Sequence, residues 1–282
     1  VAYSRLRMSP ADFHRSRAES RSCVIHSTVS QVPTNFHRSS RVATNKGKAR
    51  CSRVMYNYER LSDYTSLVTE GLTPGSLFPS YGVTTTAGQS ITFGEQIRGP
   101  WVLETASLSC PAYARQVEAM QEIAERFPMV QFMVLYVREA YPSRRFGMHR
   151  SVVEKLDRAV SLRQLRHDNR TLFVDDLRGT VHLDLGGWPN MLYIVDASGH
   201  VVHRADWNDA STTAEVLSQL TRSEISPVYL PSPGRPFPVT AIPWLLRHVG
   251  VRAAWDHLRA IPSLLALGRQ RRERIKQPNP AI

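Results

Sequence analysis

Cysteine is scarce in this chain. Three occur among 282 residues, Cys23, Cys51 and Cys110, and no two of them form a Cys-x-x-Cys pair. That excludes a disulfide framework and a dithiol-exchange motif, and it fits a reducing, cytoplasmic setting. Long apolar runs are also missing: no stretch is apolar over the length that crosses a bilayer, and the N-terminus lacks the apolar core of a secretory signal. No glycine-rich phosphate loop is present, since "DLGGWPN" at 184–190 has neither the spacing nor the lysine. His149, His182 and His203 lie far apart with no cysteine at ligand spacing, so no metal is expected.

Acidic residues are rare at both ends. Residues 1–53 carry 11 Lys/Arg against 2 Asp/Glu, and residues 221–282 carry 10 against 3, whereas residues 54–220 carry 15 against 19. The net charge of +12 therefore belongs to the termini. The mildly acidic centre carries no nucleic-acid-binding signature, so no specific nucleic-acid partner is expected. Residues 1–54 are rich in Ser, Arg, Thr and Asn without periodicity and read as a disordered basic segment. Met55 is an alternative start for the native chain.

What is there is an ordered alternation of elements. "LTPGSLFPSYGVTTTAGQSITF", Leu72 to Phe93, places turn residues at Pro74-Gly75 and Ala87-Gly88 between short β-prone runs and predicts a hairpin. "PWVLETAS" from Pro100 reads as a buried strand. A helix follows from Pro111, with Tyr113, Val117, Met120, Ala124 and Phe127 at helical spacing. Met129–Glu139 is a nearly continuous apolar run suited to an inner strand. Ser151–Leu165 reads as a helix with Val152, Val153, Leu156, Ala159, Val160 and Leu165 as its apolar stripe. Thr171–Asp176 is a further strand, two more flank the Ser198-Gly199 turn, and Ser211–Leu220 is a capped closing helix. The order β-α-β-α-β-β-α predicts an α/β, thioredoxin-like fold over 72–221, with a central mixed sheet flanked by helices. Residues 222–243, with six prolines from Pro227 to Pro243, read as a linker. Residues 244–276 read as a basic helical extension with Trp244, Val251, Trp255 and Leu258 on one side, interrupted at Pro262 and Gly268. Packing on the domain, docking a partner and contact with a membrane surface are its three open readings.

Cys110 falls at the first strand-to-helix corner, directly before Pro111. Unpaired amides at a helix start favour negative charge, which predicts a lowered thiol acidity constant and a reactive thiolate. Pro111 starts the helix at once, and Ser107 and Ser109 offer hydroxyls nearby. The corner also lies at the carboxyl end of a strand, where open α/β sheets place ligands. Tyr113 stands where a second thiol would complete Cys-x-x-Cys, so turnover at Cys110 needs an external thiol reductant, a thioredoxin-type donor, or Cys23 or Cys51. A buried, inert cysteine is the alternative.

From about Pro100 to Val216 the chain resembles the iodothyronine deiodinase family, a thioredoxin-fold group related to peroxiredoxins. Cys110-Pro111 stands at the family's selenocysteine-proline. "YVREAYPSRRF" (136–146), "HRSVVEKLDRA" (from His149), "FVDD" and "PNMLYIVDASG" (from Pro189) match its later motifs in order. The resemblance implies Cys110 as nucleophile, with Glu139 and His149 orienting and protonating the leaving group and Phe146 and Pro189 supporting the site. It further implies reductive removal of halide from an aromatic substrate, without a cofactor beyond the thiol reductant. The chain departs from the family in carrying sulfur for selenium, Leu108 for a cysteine, Tyr141 for a histidine and Phe146 for a tryptophan, and in a shortened stretch between Phe146 and His149. A one-cysteine peroxidase is the alternative, since Ser107-x-x-Cys110 offers a hydroxyl at peroxiredoxin spacing; Arg98, Arg115, Arg138 and Arg204 are the candidate cations. A non-enzymatic binding module, and a homodimer, are also compatible with the sequence.

Overall fold

A computed structural model describes residues 71–93, 97, 99–143, 146–222 and 241–276. The expected disordered segment at 1–54, most of the proline-rich linker, Arg98, Cys23 and Cys51 lie outside the described residues.

The element order is β1 (Tyr81–Thr85), β2 (Ser90–Phe93), β3 (Trp101–Ala106), α1 (Pro111–Arg126), β4 (Gln131–Tyr136), α2 (Val152–Arg166), β5 (Thr171–Val174), α3 (Thr180–Asp184), β6 (Leu192–Val195), β7 (Val201–Ala205), α4 (Ala210–Thr221), α5 (Ala241–His248) and α6 (Val251–Lys276). Seven strands form one mixed sheet in the order β2-β1-β5-β4-β3-β6-β7. β3, β4 and β5 run parallel, while β6 and β7 return antiparallel beside β3. This is the thioredoxin-like arrangement, with β1–β2 as the expected hairpin, joined to the outer edge of β5.

The strand interiors are apolar on both faces because both are covered. Leu192 and Ile194 point to one side, where Met120 and Ile123 of α1 meet Val216 and Leu217 of α4. Tyr193 and Val195 point to the other, toward Phe93, Trp101 and Leu103. Phe78 anchors that side, its ring set edge-on to Trp101 at 4.6 Å.

Two expectations about helices need correction. In α2 the inward residues are Lys155, Ala159 and Leu162, while Val153 (66%) and Leu165 (61%) are exposed. Of the expected stripe Ala159 is buried and Leu156 packs against the core, but the inward face also takes in Lys155, a charge that apolar spacing does not place there. Burial of that lysine is made possible by Asp176, whose carbonyl accepts from Nζ at 2.8 Å, and by the carboxylates of Asp175 and Asp176 nearby. The C-terminal extension begins at Ala241 rather than 244, and it breaks at Gly250 (φ 119°) rather than at Pro262. A positive φ ends α5 outright, whereas Pro262 leaves α6 continuous and is itself exposed. The expected stripe of Trp244, Val251, Trp255 and Leu258 is also divided. Trp244 packs against the core, and Val251, Trp255 and Leu258 are exposed.

Candidate functional site

Because β3 and β4 are parallel neighbours, they end side by side, and the loops that leave them are stitched together. Val137 donates its amide to Ala106 O at 2.9 Å. Ala140 N donates to Ser107 Oγ at 3.2 Å and Tyr141 N to Ser109 Oγ at 2.9 Å. Both serines thus accept from the second loop through their hydroxyl oxygens. Residues some thirty positions apart in sequence become one corner.

Cys110 is the residue preceding α1, with an extended backbone (φ −87°, ψ 110°) and Pro111 opening the helix. Its side chain is fully buried (0% exposed) as a free thiol. The expected lowering of its acidity constant is not what the structure supports. Burial pushes the thiol up from its ordinary 9.0 to about 12; the amides of Tyr113 and Ala112 pull the other way but are outweighed, and the charges of Glu104 and Glu139 add to the rise. The helix-start argument was sound in sign. It failed in magnitude, because charging a sulfur without water costs more than those amides return.

One residue before the sulfur, the corner closes around Glu139. Its Oε2 accepts from Ser109 N at 2.9 Å and from Ser109 Oγ at 2.6 Å, and its Oε1 accepts from the Tyr136 hydroxyl. His149 Nε2 lies 3.6 Å from Oε1 and Arg158 Nη1 3.9 Å from it. Burial alone would raise the carboxyl, but the neighbouring His149 and hydrogen bonds from Ser109 and Tyr136 hold it below its usual range. For His149, burial dominates and lowers its acidity constant against the pull of Glu139. The imidazole is therefore neutral at pH 7 beside an ionised carboxylate. Ser151 caps α2, accepting from Glu154 N, so His149 is not serving as that helix's cap.

A second polar network underlies the helix. Glu104, in the middle of β3, accepts from Arg170 Nη1 at 2.7 Å, Asn190 Nδ2 at 2.8 Å and Asn208 Nδ2 at 2.7 Å. Arg170 also pairs with Asp168 at 2.7 Å, and Asp168 accepts from the Tyr113 hydroxyl. The side chain at the position of the missing second thiol thus ties α1 to the loop before β5.

The C-terminal helices join the same apolar core. α5 packs on α1, and Leu245, Val249, Ala253 and Ala254 share the apolar core to which Cys110 belongs. The Tyr141 hydroxyl meets His257 Nδ1 at 2.9 Å. Arg166, at the end of α2, stacks over the Trp244 ring at 5.0 Å.

The structure brings together Ser107, Ser109, Cys110, Pro111, Glu139 and His149. Pro189 is buried just before Asn190 and Met191, and at the same end of the sheet Met191 O accepts from Thr105 N while Met191 N donates to Thr105 Oγ1. Phe146 is half-buried in the loop before His149, its amide bonded to Ser143 Oγ. Of the candidate arginines, Arg138 donates to Gly187 O and Arg204 pairs with Asp206. Tyr136, Arg158, Arg166 and His257 were missed by sequence reasoning. Tyr136 alone had a local signal, three residues before Glu139. His182 Nε2 donates to Trp188 O (2.7 Å), and no group of three or more potential metal ligands occurs among the described residues.

No protein-family model and no curated protein matches the chain. Solved structures do. A secreted disulfide oxidoreductase of Mycobacterium tuberculosis, homologous to E. coli DsbE, is 15% identical with a TM-score of 0.38, covering 49% of this chain and 94% of its own. A thiol peroxidase from Chromobacterium violaceum is 13% identical with a TM-score of 0.42, covering 55% and 91%. A peroxiredoxin-like protein from Aquifex aeolicus is 17% identical with a TM-score of 0.40, covering 54% and 90%. At these values the likenesses place no reaction, substrate or partner on this chain.

Proposed function

We propose that this chain is a thiol-dependent oxidoreductase with Cys110 as its nucleophile, and that the form described above is a closed resting form. The observation that carries the reading is the buried carboxylate–imidazole pair held at the same strand-to-helix corner as Cys110. Ser109, Tyr136, Glu139 and His149 converge in a buried corner one residue from Cys110. Taking charge out of water costs several kcal/mol, and an apolar filling would stabilise a mere scaffold as well or better. On this reading α5 and α6, which share the apolar core with Cys110, keep water from the thiol, and moving them admits the water that ionises the sulfur.

The reaction class follows the deiodinase resemblance. The Cys110 thiolate attacks the halogen of an iodinated aromatic, forming an S–I bond as the C–I bond breaks, and the aryl carbon takes a proton. His149, neutral at rest, accepts the thiol proton and returns it to that carbon, with Glu139 holding the imidazolium. An external thiol displaces iodide to form a mixed disulfide with Cys110, and a second thiol releases Cys110 and leaves as disulfide. The substrate is thus a small halogenated aromatic, with a thiol or thioredoxin-type donor as co-substrate. Peroxide reduction is the second reading, supported by Ser107, which stands at peroxiredoxin spacing from Cys110 and is buried at the same corner.

Iodide release from iodophenols with excess dithiol tests the proposal, in the parent and in Trp244→Ala/Leu245→Ala. Release that rises on loosening the helices and vanishes in Cys110→Ser supports it. Rapid peroxide consumption without iodide release selects the second reading. Folded protein that performs neither reaction, closed or loosened, refutes the enzyme assignment and leaves a binding module.

A further inference from the structure

The two sides of α6 differ in kind. Toward the domain it buries Ala253, Ala254, His257 and Ala260, mostly small side chains that let the helix lie close. Away from it, Val251 (74% exposed), Trp255 (54%) and Leu258 (40%) stand at i, i+4 and i+7, followed by exposed Pro262 at i+11. Over residues 251–260 the larger apolar groups of the helix therefore face solvent, the reverse of a helix whose purpose is only to pack on its own domain. Exposed Arg252 and Arg259 flank this strip, and the Arg259 guanidinium stacks over the Trp255 ring at 5.0 Å. Asp256 is drawn to the shielded side, with Arg252 Nε 3.9 Å away. The same helix continues through Arg269, Arg271, Arg272, Arg274 and Lys276, so residues 247–276 carry eight Lys/Arg against two Asp/Glu.

We propose that this face is a docking surface for an anionic lipid membrane, with α6 lying in the plane of the headgroups. The strip is one residue wide, which suits insertion of a tryptophan and its apolar neighbours into the boundary between headgroups and acyl chains. It is too narrow to supply the roughly 800 Å² per partner of a stable protein interface. A second copy would bring arginine rim against arginine rim. Anionic headgroups complement both features at once: acyl chains take the strip and phosphates take the arginines. No helix among the described residues is long and apolar enough to cross a membrane, so the contact is peripheral. The surface is independent of the thiol chemistry.

The test is sedimentation of the full-length chain with vesicles of phosphatidylcholine alone or with about one-third phosphatidylserine, with a soluble polyanion such as heparin as competitor. The expected result is binding to the anionic vesicles that weakens at least tenfold on neutral ones and falls with salt. Trp255→Ser/Leu258→Ser and Arg252→Glu/Arg259→Glu should each lower it roughly tenfold or more. The exposed α2 pair Val153→Ser/Leu165→Ser should leave it unchanged, which controls for general loss of surface apolarity. No binding to anionic vesicles overturns the proposal. So does binding that survives both α6 variants, because it then comes from the basic N-terminal residues. Binding lost only in the arginine variant and matched by heparin also overturns it, marking a polyanion or acidic-protein site.

Discussion

Raising the pH from 7.5 to 10.5 should weaken the parent chain more than Cys110→Ala, and the difference measures the acidity of the sealed thiol. In the unfolded chain Cys110 loses its proton near its ordinary value of 9.0, whereas the folded chain keeps it to about 12. Between those values the native state binds one proton more than the unfolded state, so stability falls as pH rises. A three-decade gap in acidity is worth roughly 4 kcal/mol once the pH passes 12, and about 2 kcal/mol of it should be lost by pH 10.5. Tyr81, Tyr113 and Tyr136 are raised as well and also weaken the fold in alkali, but they are common to both chains and cancel in the comparison. Urea unfolding of both chains at pH 7.5 and 10.5 reads the difference. Alkylation gives a second view in a Cys23→Ser/Cys51→Ser background. At pH 7 an acidity constant of about 12 leaves on the order of one-thousandth the thiolate of one at 9.0, and the rate should climb tenfold per pH unit to pH 10. A constant stability difference between pH 7.5 and 10.5, or an alkylation plateau below pH 8, would refute the claim that burial outweighs the helix start.

Glu139→Gln should cost about 2–3 kcal/mol at pH 7 through loss of charge-assisted bonds, and the deficit should shrink as acid protonates the parent's depressed carboxyl; urea unfolding at pH 7 and 4 checks this. Arg170→Met leaves Glu104 and Asp168 buried without their cation and should destabilise by roughly 3–5 kcal/mol, visible as a lower urea midpoint with unchanged slope. Tyr141→Phe removes the bond to His257 and should cost only about 1 kcal/mol while measurably speeding Cys110 alkylation; an unchanged rate would detach α6 from closure of the site.

The element order was legible in sequence because it is written in local periods. Apolar runs of strand length, helices opened by Pro111 and Ser151, and the Ser198-Gly199 turn each depend on neighbours a few residues away, and together they specify β-α-β-α-β-β-α, to which the structure adds the five-residue α3 between β5 and β6 that the sequence reading missed. The strand–Cys-Pro–helix corner was legible for the same reason. The tertiary structure alone decided what that corner is like. Parallel pairing of β3 with β4 sets Glu139 against Ser109 across thirty residues, and no local period encodes that contact. The buried side of α2 fell on Lys155 because Asp175 and Asp176, twenty residues on, supply its partners. The acidity of Cys110 depends on how much water reaches it. Burial in an apolar core that also takes in Leu245 and Val249, more than a hundred residues away in sequence, turns an expected thiolate into a protonated thiol. Short-range geometry is carried by the chain's own order, whereas solvation belongs to the assembled surface.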